Sequence, residues 1–158
     1  MRAKKIYESS NSILIPKSEE EILSHLEELS PDKLLLKSSQ IGFLPGVKRA
    51  LERGASVHAQ DDLALCWASE KGHKDVVELL LKAGANVHAR DDYALRWAAE
   101  YGHKSVVELL LKAGAKPNKQ IWELAKRKGF LELLKKYGYI NESIEDILKP
   151  KSQEDIIK

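Results

Sequence analysis

Apolar residues in the middle of the chain recur in short stretches with helical spacing. Val76, Val77, Leu80 and Leu81 stand at i, i+1, i+4 and i+5, between charged residues. That spacing gives a helix one wide apolar stripe. The stretch just before it predicts a second short helix, whose apolar face is Ala64, Leu65, Trp67 and Ala68. The pattern therefore predicts a pair of short helices.

This pair occurs twice. Residues 60–85 recur as residues 90–115, and the two copies differ at six positions. Gly54, Gly84 and Gly114 mark a period of 30 residues. Two helices this short cannot bury their stripe alone, but stacking like units in a row buries it. The repetition therefore predicts an all-α solenoid of helix–turn–helix units.

Turn residues predict where the helices begin and end. We expect the aspartate pairs at 61–62 and 91–92 to supply the N-cap carboxylate of each first helix. Gly72 and Gly102 should end that helix, because a left-handed residue is needed there.

The repeated pattern resembles the ankyrin repeat. Residues 72–85 and 102–115 both read Gly-His-x-x-Val-Val-x-Leu-Leu-Leu-x-x-Gly-Ala. The chain departs from the family where Thr-Pro-Leu-His is usual, at 63–66 and 93–96, and its period is three residues short of the usual 33. The resemblance implies about four stacked repeats with helical caps and shortened hairpin fingers.

The short form is also similar to repeats that are abundant in large DNA viruses of protists. Residues 57–68 and 87–98 carry it, as Val-His-Ala-x-Asp-Asp-x-Ala-Leu-x-Trp-Ala. This second resemblance concerns origin more than chemistry. It implies a location in the host cytoplasm if the source is viral.

Degenerate copies on both sides extend the array. We expect the following organisation: an N-terminal extension and capping helix at 1–31; repeats at about 32–55, 56–85, 86–115 and 116–138; and a C-terminal capping helix or tail at 139–158. Ser18 and Glu21 form a capping box that opens the first cap. Ser152 and Asp155 repeat that arrangement in the tail, either as an independent helix start or as a related cap.

Composition narrows the class of protein. The 158 residues are 43% hydrophobic and 32% charged, which is typical of a globular chain, and the net charge of +2 gives no overall drive toward nucleic acid or membrane. No apolar run is long enough for a secretory signal or a membrane span. These two absences make a reducing, cytoplasmic compartment the expectation. Cys66 is the one cysteine, which excludes an internal disulfide and a multi-cysteine metal site.

The histidines and aspartates suggest chemistry but are better explained structurally. His58 and His88 are equivalent and could be imagined as a metal pair, but neighbouring ankyrin units lie about 10 Å apart, too far for one zinc ion. We expect the histidines, including His73 and His103, to bond loop backbone. Helix capping explains the aspartates without hydrolysis or calcium binding.

No residue pattern argues for catalysis. Cys66 has no neighbouring histidine or cation in the sequence that would lower its pKa. A glycine-rich phosphate loop and a serine nucleophile elbow are both absent from the sequence. We therefore expect no enzyme activity, no cofactor, no metal and no small-molecule substrate.

The tryptophans have two interpretations. Trp67, Trp97 and Trp122 stand at helical spacing in predicted first helices, which favours the core, with each indole N–H reaching a loop carbonyl. Alternatively, a ring edge faces a partner.

The differences between the two central copies predict the binding surface. In an ankyrin-like array the finger and first helix line the concave face, and most of the six differences fall there. The resemblance thus implies a contact set of Gln60, Leu63, Cys66, Glu70, Lys71, Arg90, Tyr93, Arg96, Glu100 and Tyr101. We expect its centre at Tyr93, Arg96 and Tyr101, because interface hot spots favour tyrosine and arginine. Neutral drift on an exposed face is the alternative.

The last repeat is basic. Residues 116–136 carry seven basic and two acidic side chains, a net of +5, whereas the opening helix is acidic. A solvated end cap explains this. An acidic partner, nucleic acid and head-to-tail self-association stay open as alternatives, with nucleic acid the less favoured.

Together these patterns predict a non-catalytic module that binds a protein partner through the concave surface. A viral or effector-type inhibitor that occludes a host protein would use the same surface. The sequence does not identify the partner.

Overall fold

The computed structural model describes residues 18–137, and these residues form helices joined by short turns, with no strand among them. The helices are α1 (Glu19–Leu26), α2 (Pro31–Ile41), α3 (Leu44–Glu52), α4 (Leu63–Lys71), α5 (Lys74–Lys82), α6 (Ala89–Tyr101), α7 (Lys104–Lys112), α8 (Lys119–Lys128) and α9 (Leu131–Lys136). The predicted cap in the tail, including Ser152 and Asp155, lies outside the described residues.

Consecutive helices pair and the pairs stack. The pairs are α2–α3, α4–α5, α6–α7 and α8–α9, and the first helices of successive pairs contact one another in chain order. One continuous core of leucine, valine and alanine runs through all four pairs. This confirms the predicted all-α ankyrin-like solenoid, while the exact repeat boundaries stay a prediction.

Helix α1 covers the outer side of the first pair. Ser18 accepts a hydrogen bond from the backbone of Glu21, as the capping box predicts. Arg53, just after α3, donates to the carbonyls of Glu27 and Leu29 at 3.3 and 3.1 Å. These bonds fix the end of α1 against α3.

The first helix of each pair is more deeply buried than its pattern suggests. Helix α4 is packed between α2 and α6 as well as against its own partner α5. Its buried residues are Ala64, Leu65, Cys66, Ala68 and Ser69. The predicted face is therefore correct for its alanines and Leu65, but burial extends beyond it.

The fingers are reduced to left-handed turns. Residues 60–62 and 90–92 all have φ between 52° and 60°, although none of them is glycine. The second set lies within the bounds given for α6, so the regular part of that helix begins after the turn, at Tyr93. Three consecutive left-handed residues are costly, at about 1–2 kcal/mol each, and persist only where other contacts hold them. By contrast, Gly72 and Gly102 end their helices at φ 77° and 76°, as predicted.

Aspartate carboxylates join each repeat to the next one. Asp32 accepts from the backbone N–H of Ser56 at 2.8 Å, Asp62 from that of Asn86 at 2.7 Å, and Asp92 from that of Lys116 at 3.3 Å. The prediction that the pairs at 61–62 and 91–92 cap their own helices is wrong. The left-handed turn carries the carboxylates away from their own helix, and neither helix start has a side-chain cap bond.

Histidine rings join each repeat to the preceding one. Nε2 of His73 donates to the carbonyl of Gln40 at 3.2 Å, and Nε2 of His103 to that of Glu70 at 2.9 Å. The His103 ring lies so close over Gly72 that a Cβ there would meet its Nδ1 at 2.5 Å. Both histidines therefore bond backbone, but the carbonyls belong to the last turns of α2 and α4 rather than to loops.

Candidate protein interface

Helix α6 carries a row of three neighbouring rings, of which the first pair is tilted at 58° and the second is stacked. Tyr93, Trp97 and Tyr101 are spaced at i, i+4 and i+8, so they share one face of the helix. The ring centres of Tyr93 and Trp97 lie 5.5 Å apart, as do those of Trp97 and Tyr101, and the second pair is nearly parallel at 16°. We call Tyr93, Trp97 and Tyr101 the ring ladder.

The outer end of the ring ladder is open to solvent. Tyr101 is 53% exposed, and only one other large apolar side chain of residues 18–137, Ile41, is exposed. His103 continues the row, with its ring centre 6.3 Å from that of Tyr101. The same histidine bonds Glu70, so the ladder is joined to the preceding repeat.

Arg96 completes the cluster. Its guanidinium lies 5.2 Å from the ring centre of Tyr93 and is half-buried. Cation–π contacts of this kind contribute about 0.5–1 kcal/mol at exposed sites. Tyr93, Arg96 and Tyr101, the predicted centre of the contact set, are thus brought to one helix face.

Cys66 does not belong to this surface. It occupies the position equivalent to Arg96, but it is only 1% exposed. Burial raises the pKa of its thiol to about 11. Its inclusion in the predicted contact set is wrong, because packing by neighbouring helices covers α4 there. A protonated, covered thiol is also a poor nucleophile.

The remaining predicted contact residues surround the ring ladder. Leu63, Glu70 and Glu100 are half-buried, whereas Gln60, Lys71 and Arg90 are exposed. Arg90 donates to the carbonyl of Gln60 at 2.9 Å and pairs with Asp61 at 3.4 Å, which connects consecutive fingers.

Trp97 is absent from the predicted contact set, although the structure places it between two members of that set. The core was the favoured interpretation and a ring edge facing a partner the alternative; the side chain is half-buried within the ring ladder. The signal was its position four residues from a tyrosine on either side. Nε1 of Trp97 and of the fully buried Trp122 has no hydrogen-bond partner, so the predicted bond to a loop carbonyl is wrong for both.

A polar groove lies beside the open end of the ladder, between α6 and α8. Its volume is about 470 Å³, and its lining is Glu100, Gln120, Glu123, Leu124, Lys126 and Arg127. Arg127 reaches Glu100 at 3.9 Å across it. The groove therefore has charges of both signs rather than a single positive field.

Carboxylates of the last two repeats partly neutralise the positive charge of the last repeat. Lys136 contacts Glu108 at 2.9 Å and Lys135 contacts Glu132 at 2.8 Å. The bond from Lys136 lowers the pKa of Glu108, and the carboxylate in turn raises the pKa of Lys136. These pairs weaken the positive field that the sequence count suggested.

The histidines of the fingers do not form a joint site. Nδ1 of His58 lies 3.1 Å from Asp62, and Nδ1 of His88 lies 3.0 Å from Asp92. Each ring thus contacts the carboxylate of its own finger rather than loop backbone. Within residues 18–137, no group of three or more metal-ligating side chains is close enough to hold a metal ion.

The fold and this surface define a repeat protein of stacked helix pairs. The family model described as "Ankyrin repeats (3 copies)" matches residues 34–121, more than half of the chain. The chain belongs to the ankyrin-repeat family. Ankyrin repeats are generally non-catalytic protein–protein interaction modules. No curated protein matches the chain. Across the described part of the chain, no helix has the length and apolarity to cross a membrane.

Proposed function

We propose that this protein binds a protein partner through its concave surface, centred on the ring ladder and Arg96. The observation that carries this proposal is the exposed end of the ladder at Tyr101. Tyrosine, tryptophan and arginine are the residues that dominate binding energy at interfaces. Leu63, Glu70, Lys71, Glu100, Gln60 and Arg90 would form the surrounding rim.

The rigidity of α6 supports this assignment. The helix is packed between α4 and α8 and against α7, so its rings are held in place before any partner arrives. A preorganised surface loses less conformational entropy on association. A few repeats offer area for one interface of modest size.

Site-specific photo-cross-linking tests the proposal. A photoreactive amino acid placed at Tyr101 should capture a discrete partner from cell extract. The same amino acid at Lys112, which is exposed at the end of α7, should not. The Tyr93→Ala/Arg96→Ala/Tyr101→Ala variant should lose the partner while keeping its helical circular dichroism. Equal capture from both positions, or full retention by the triple variant, would place the binding face elsewhere.

An inhibitor that occludes a host protein would use the same ring ladder and differ only in its consequence for the partner. Cross-linking followed by an activity assay of the captured protein distinguishes scaffolding from inhibition. The viral resemblance and the expected cytoplasmic compartment are consistent with either role.

A further inference from the structure

We infer that Arg96 receives a carboxylate of the partner, so that the partner offers a protein segment with one Asp or Glu side chain at Arg96 and an apolar side chain against the ring ladder. This inference rests on the proposed function and adds the chemical class of the partner. It depends on how the charges of the inner surface are paired.

Arg96 differs from its basic neighbours in having no ion pair. Lys71 contacts Glu70 at 3.0 Å, and Arg90 contacts Asp61 at 3.4 Å. No carboxylate of residues 18–137 lies within ion-pair distance of Arg96, whose guanidinium instead lies over the ring of Tyr93. Among the basic residues of 60–71 and 90–101, it is the one whose charge is not already used within the repeat array.

The contact with Tyr93 also orients the guanidinium. A guanidinium lying against a ring keeps the N–H groups at its edge available, and this planar fork matches the two oxygens of a carboxylate. Because one side chain already restricts the fork, less rotamer freedom is lost when an anion binds. Arg96 is therefore prepared for a bidentate ion pair.

The local charge favours a protein carboxylate over a nucleic-acid backbone. Segments 60–71 and 90–101 together carry three basic and six acidic side chains, a net of −3. A run of phosphates would meet these acids, whereas one carboxylate can reach Arg96 alone. Single-stranded nucleic acid requires a positive groove along its backbone, and the ring ladder does not lie in one.

The ring ladder specifies the second feature of the segment. Trp97 and Tyr101 extend away from Tyr93 in steps of 5.5 Å between ring centres. In an extended chain, a side chain two residues from the acidic residue points to the same face and lies about 6.6 Å farther along, so it would reach these rings. An aliphatic, aromatic or proline side chain fits there.

A display library of random dodecapeptides tests the inference without a known partner. Selection on the wild-type protein should enrich Asp or Glu within two residues of an apolar residue. The enriched peptides, made synthetically, should bind Arg96→Ala ten- to a hundredfold more weakly, since hydrogen bonds to charged groups are the strong ones. Arg96→Lys should recover only part of the loss, because an ammonium group lacks the fork.

Matched controls separate recognition from folding. Lys112→Ala removes an exposed cation from the outer helix of the same repeat and should bind like wild type. Arg96→Ala removes the contact with Tyr93 and should lower the melting temperature by only a few degrees, so the variant stays folded in the binding assay. Replacing the acidic residue of the peptide by its amide should weaken wild-type binding as much as Arg96→Ala does, and should add no further loss in that variant.

Three results would overturn the inference. Peptides that require Trp97 and Tyr101 but bind Arg96→Ala with unchanged affinity would disprove the ion pair between Arg96 and a partner carboxylate. The proposed function would then still stand. Enriched peptides whose binding depends on neither the ring ladder nor Arg96 would count against this inference and against the proposed function. The absence of any enriched peptide would do the same. Tighter binding of a fluorescent dT12 oligonucleotide than of any peptide, lost in Arg96→Ala, would make the partner a nucleic acid.

Discussion

The first helices of the second and third repeats, α4 and α6, have nearly the same sequence but present different surfaces. Both place the leucine and alanines of Ala-Leu-x-Trp-Ala in the core. In α4 the variable positions carry Leu63, Cys66 and Lys71, and Trp67 packs partly against the core. In α6 the variable positions carry Tyr93, Arg96 and Tyr101. The equivalent tryptophan, Trp97, is the middle ring of the ring ladder.

This comparison separates two kinds of position. Most positions that contact neighbouring repeats are identical in the two copies, since a change there disturbs two interfaces. Of the six changed positions, 69/99 lies in the buried layer, 75/105 lies in the second helix, and 60/90 lies in the finger, where Arg90 bonds the preceding repeat. The other three place Tyr93, Arg96 and Tyr101 on the partly exposed side of α6. The array thus keeps its stacking constant while one helix acquires a distinct surface.

The largest difference should appear at the two inter-helix glycines. Gly72→Ala and Gly102→Ala both force a side chain into the left-handed region, at about 1–2 kcal/mol. At Gly72 the new Cβ also displaces the ring of His103 and its bond to Glu70, adding about 1 kcal/mol or more. At Gly102 the nearest atom is Cδ of Lys128, at 3.9 Å. Urea unfolding should show the larger loss for Gly72→Ala.

A double-mutant cycle checks the cause of that difference. In a His103→Ala background the additional cost of Gly72→Ala should disappear, because the ring that it displaces is gone. Equal losses for the two glycine variants in the wild-type background would show that the histidine ring does not hold this junction.

The next effect concerns the aspartates of the fingers. The Asp62 side chain is 5% exposed and accepts a 2.7 Å bond from Asn86, whereas that of Asp92 is 20% exposed and its bond to Lys116 is 3.3 Å. Removing the carboxylate of Asp62 should cost about 1–3 kcal/mol, and removing that of Asp92 should cost less. Thermal or urea unfolding of Asp62→Ala and Asp92→Ala measures both.

Serine substitutions distinguish bridging from helix capping. Serine is a good N-cap, so Asp62→Ser would restore stability if the carboxylate served its own helix. Because the hydroxyl is too short to replace the carboxylate at the next repeat, we expect Asp62→Ser to be nearly as unstable as Asp62→Ala. Recovery to wild-type stability would argue for capping.

The smallest effect on stability is expected for substitutions at the equivalent positions 66 and 96. Cysteine thiols at these two positions should nevertheless differ strongly in their reactivity toward a thiol reagent. Cys66 is covered, and its thiol pKa is raised to about 11, so a thiol reagent at pH 8 should modify it only through unfolding. The thiol introduced by Arg96→Cys in a Cys66→Ser background should react in the folded protein. Equal rates in the native state would mean that the two helices are equally exposed.

The raised pKa also predicts the direction of a pH effect. Above pH 9 the thiol ionises in the unfolded chain while burial keeps it protonated in the folded one. Cys66 should therefore make the free energy of unfolding fall as pH rises from about 9 toward 11. The difference between wild type and Cys66→Ser isolates this contribution.

Local sequence signals predicted much of the fold. The glycines at 72 and 102, the capping box at Ser18 and the valine–leucine stripe of α5 each depend on a few neighbouring residues. Repetition then made the stacking nearly unavoidable, because each stripe needs a neighbour. These features require no knowledge of distant contacts.

The errors come from contacts between repeats. Asp62 looked like a helix cap because a carboxylate before a helix usually is one, but three left-handed residues turn it toward the next repeat. Cys66 looked exposed because its neighbours in sequence do not cover it, whereas the adjacent helices do. The pattern of a single helix favours the core for Trp97, because it does not show which side chains the neighbouring helices leave partly uncovered.

The His103 ring over Gly72 has an equivalent at the first junction, where a Cβ on Gly42 would meet Nδ1 of His73 at 2.5 Å, but not at the third. Phe130 stands where the fourth repeat would carry its histidine, and the space above Gly102 is nearly open. The junction between the third and fourth repeats therefore lacks a contact that the other two have, and under tension applied to the two ends of the described array the fourth repeat should separate first. Because α6 lies at this junction, a ligand that binds both α6 and α8 would stabilise it against such separation.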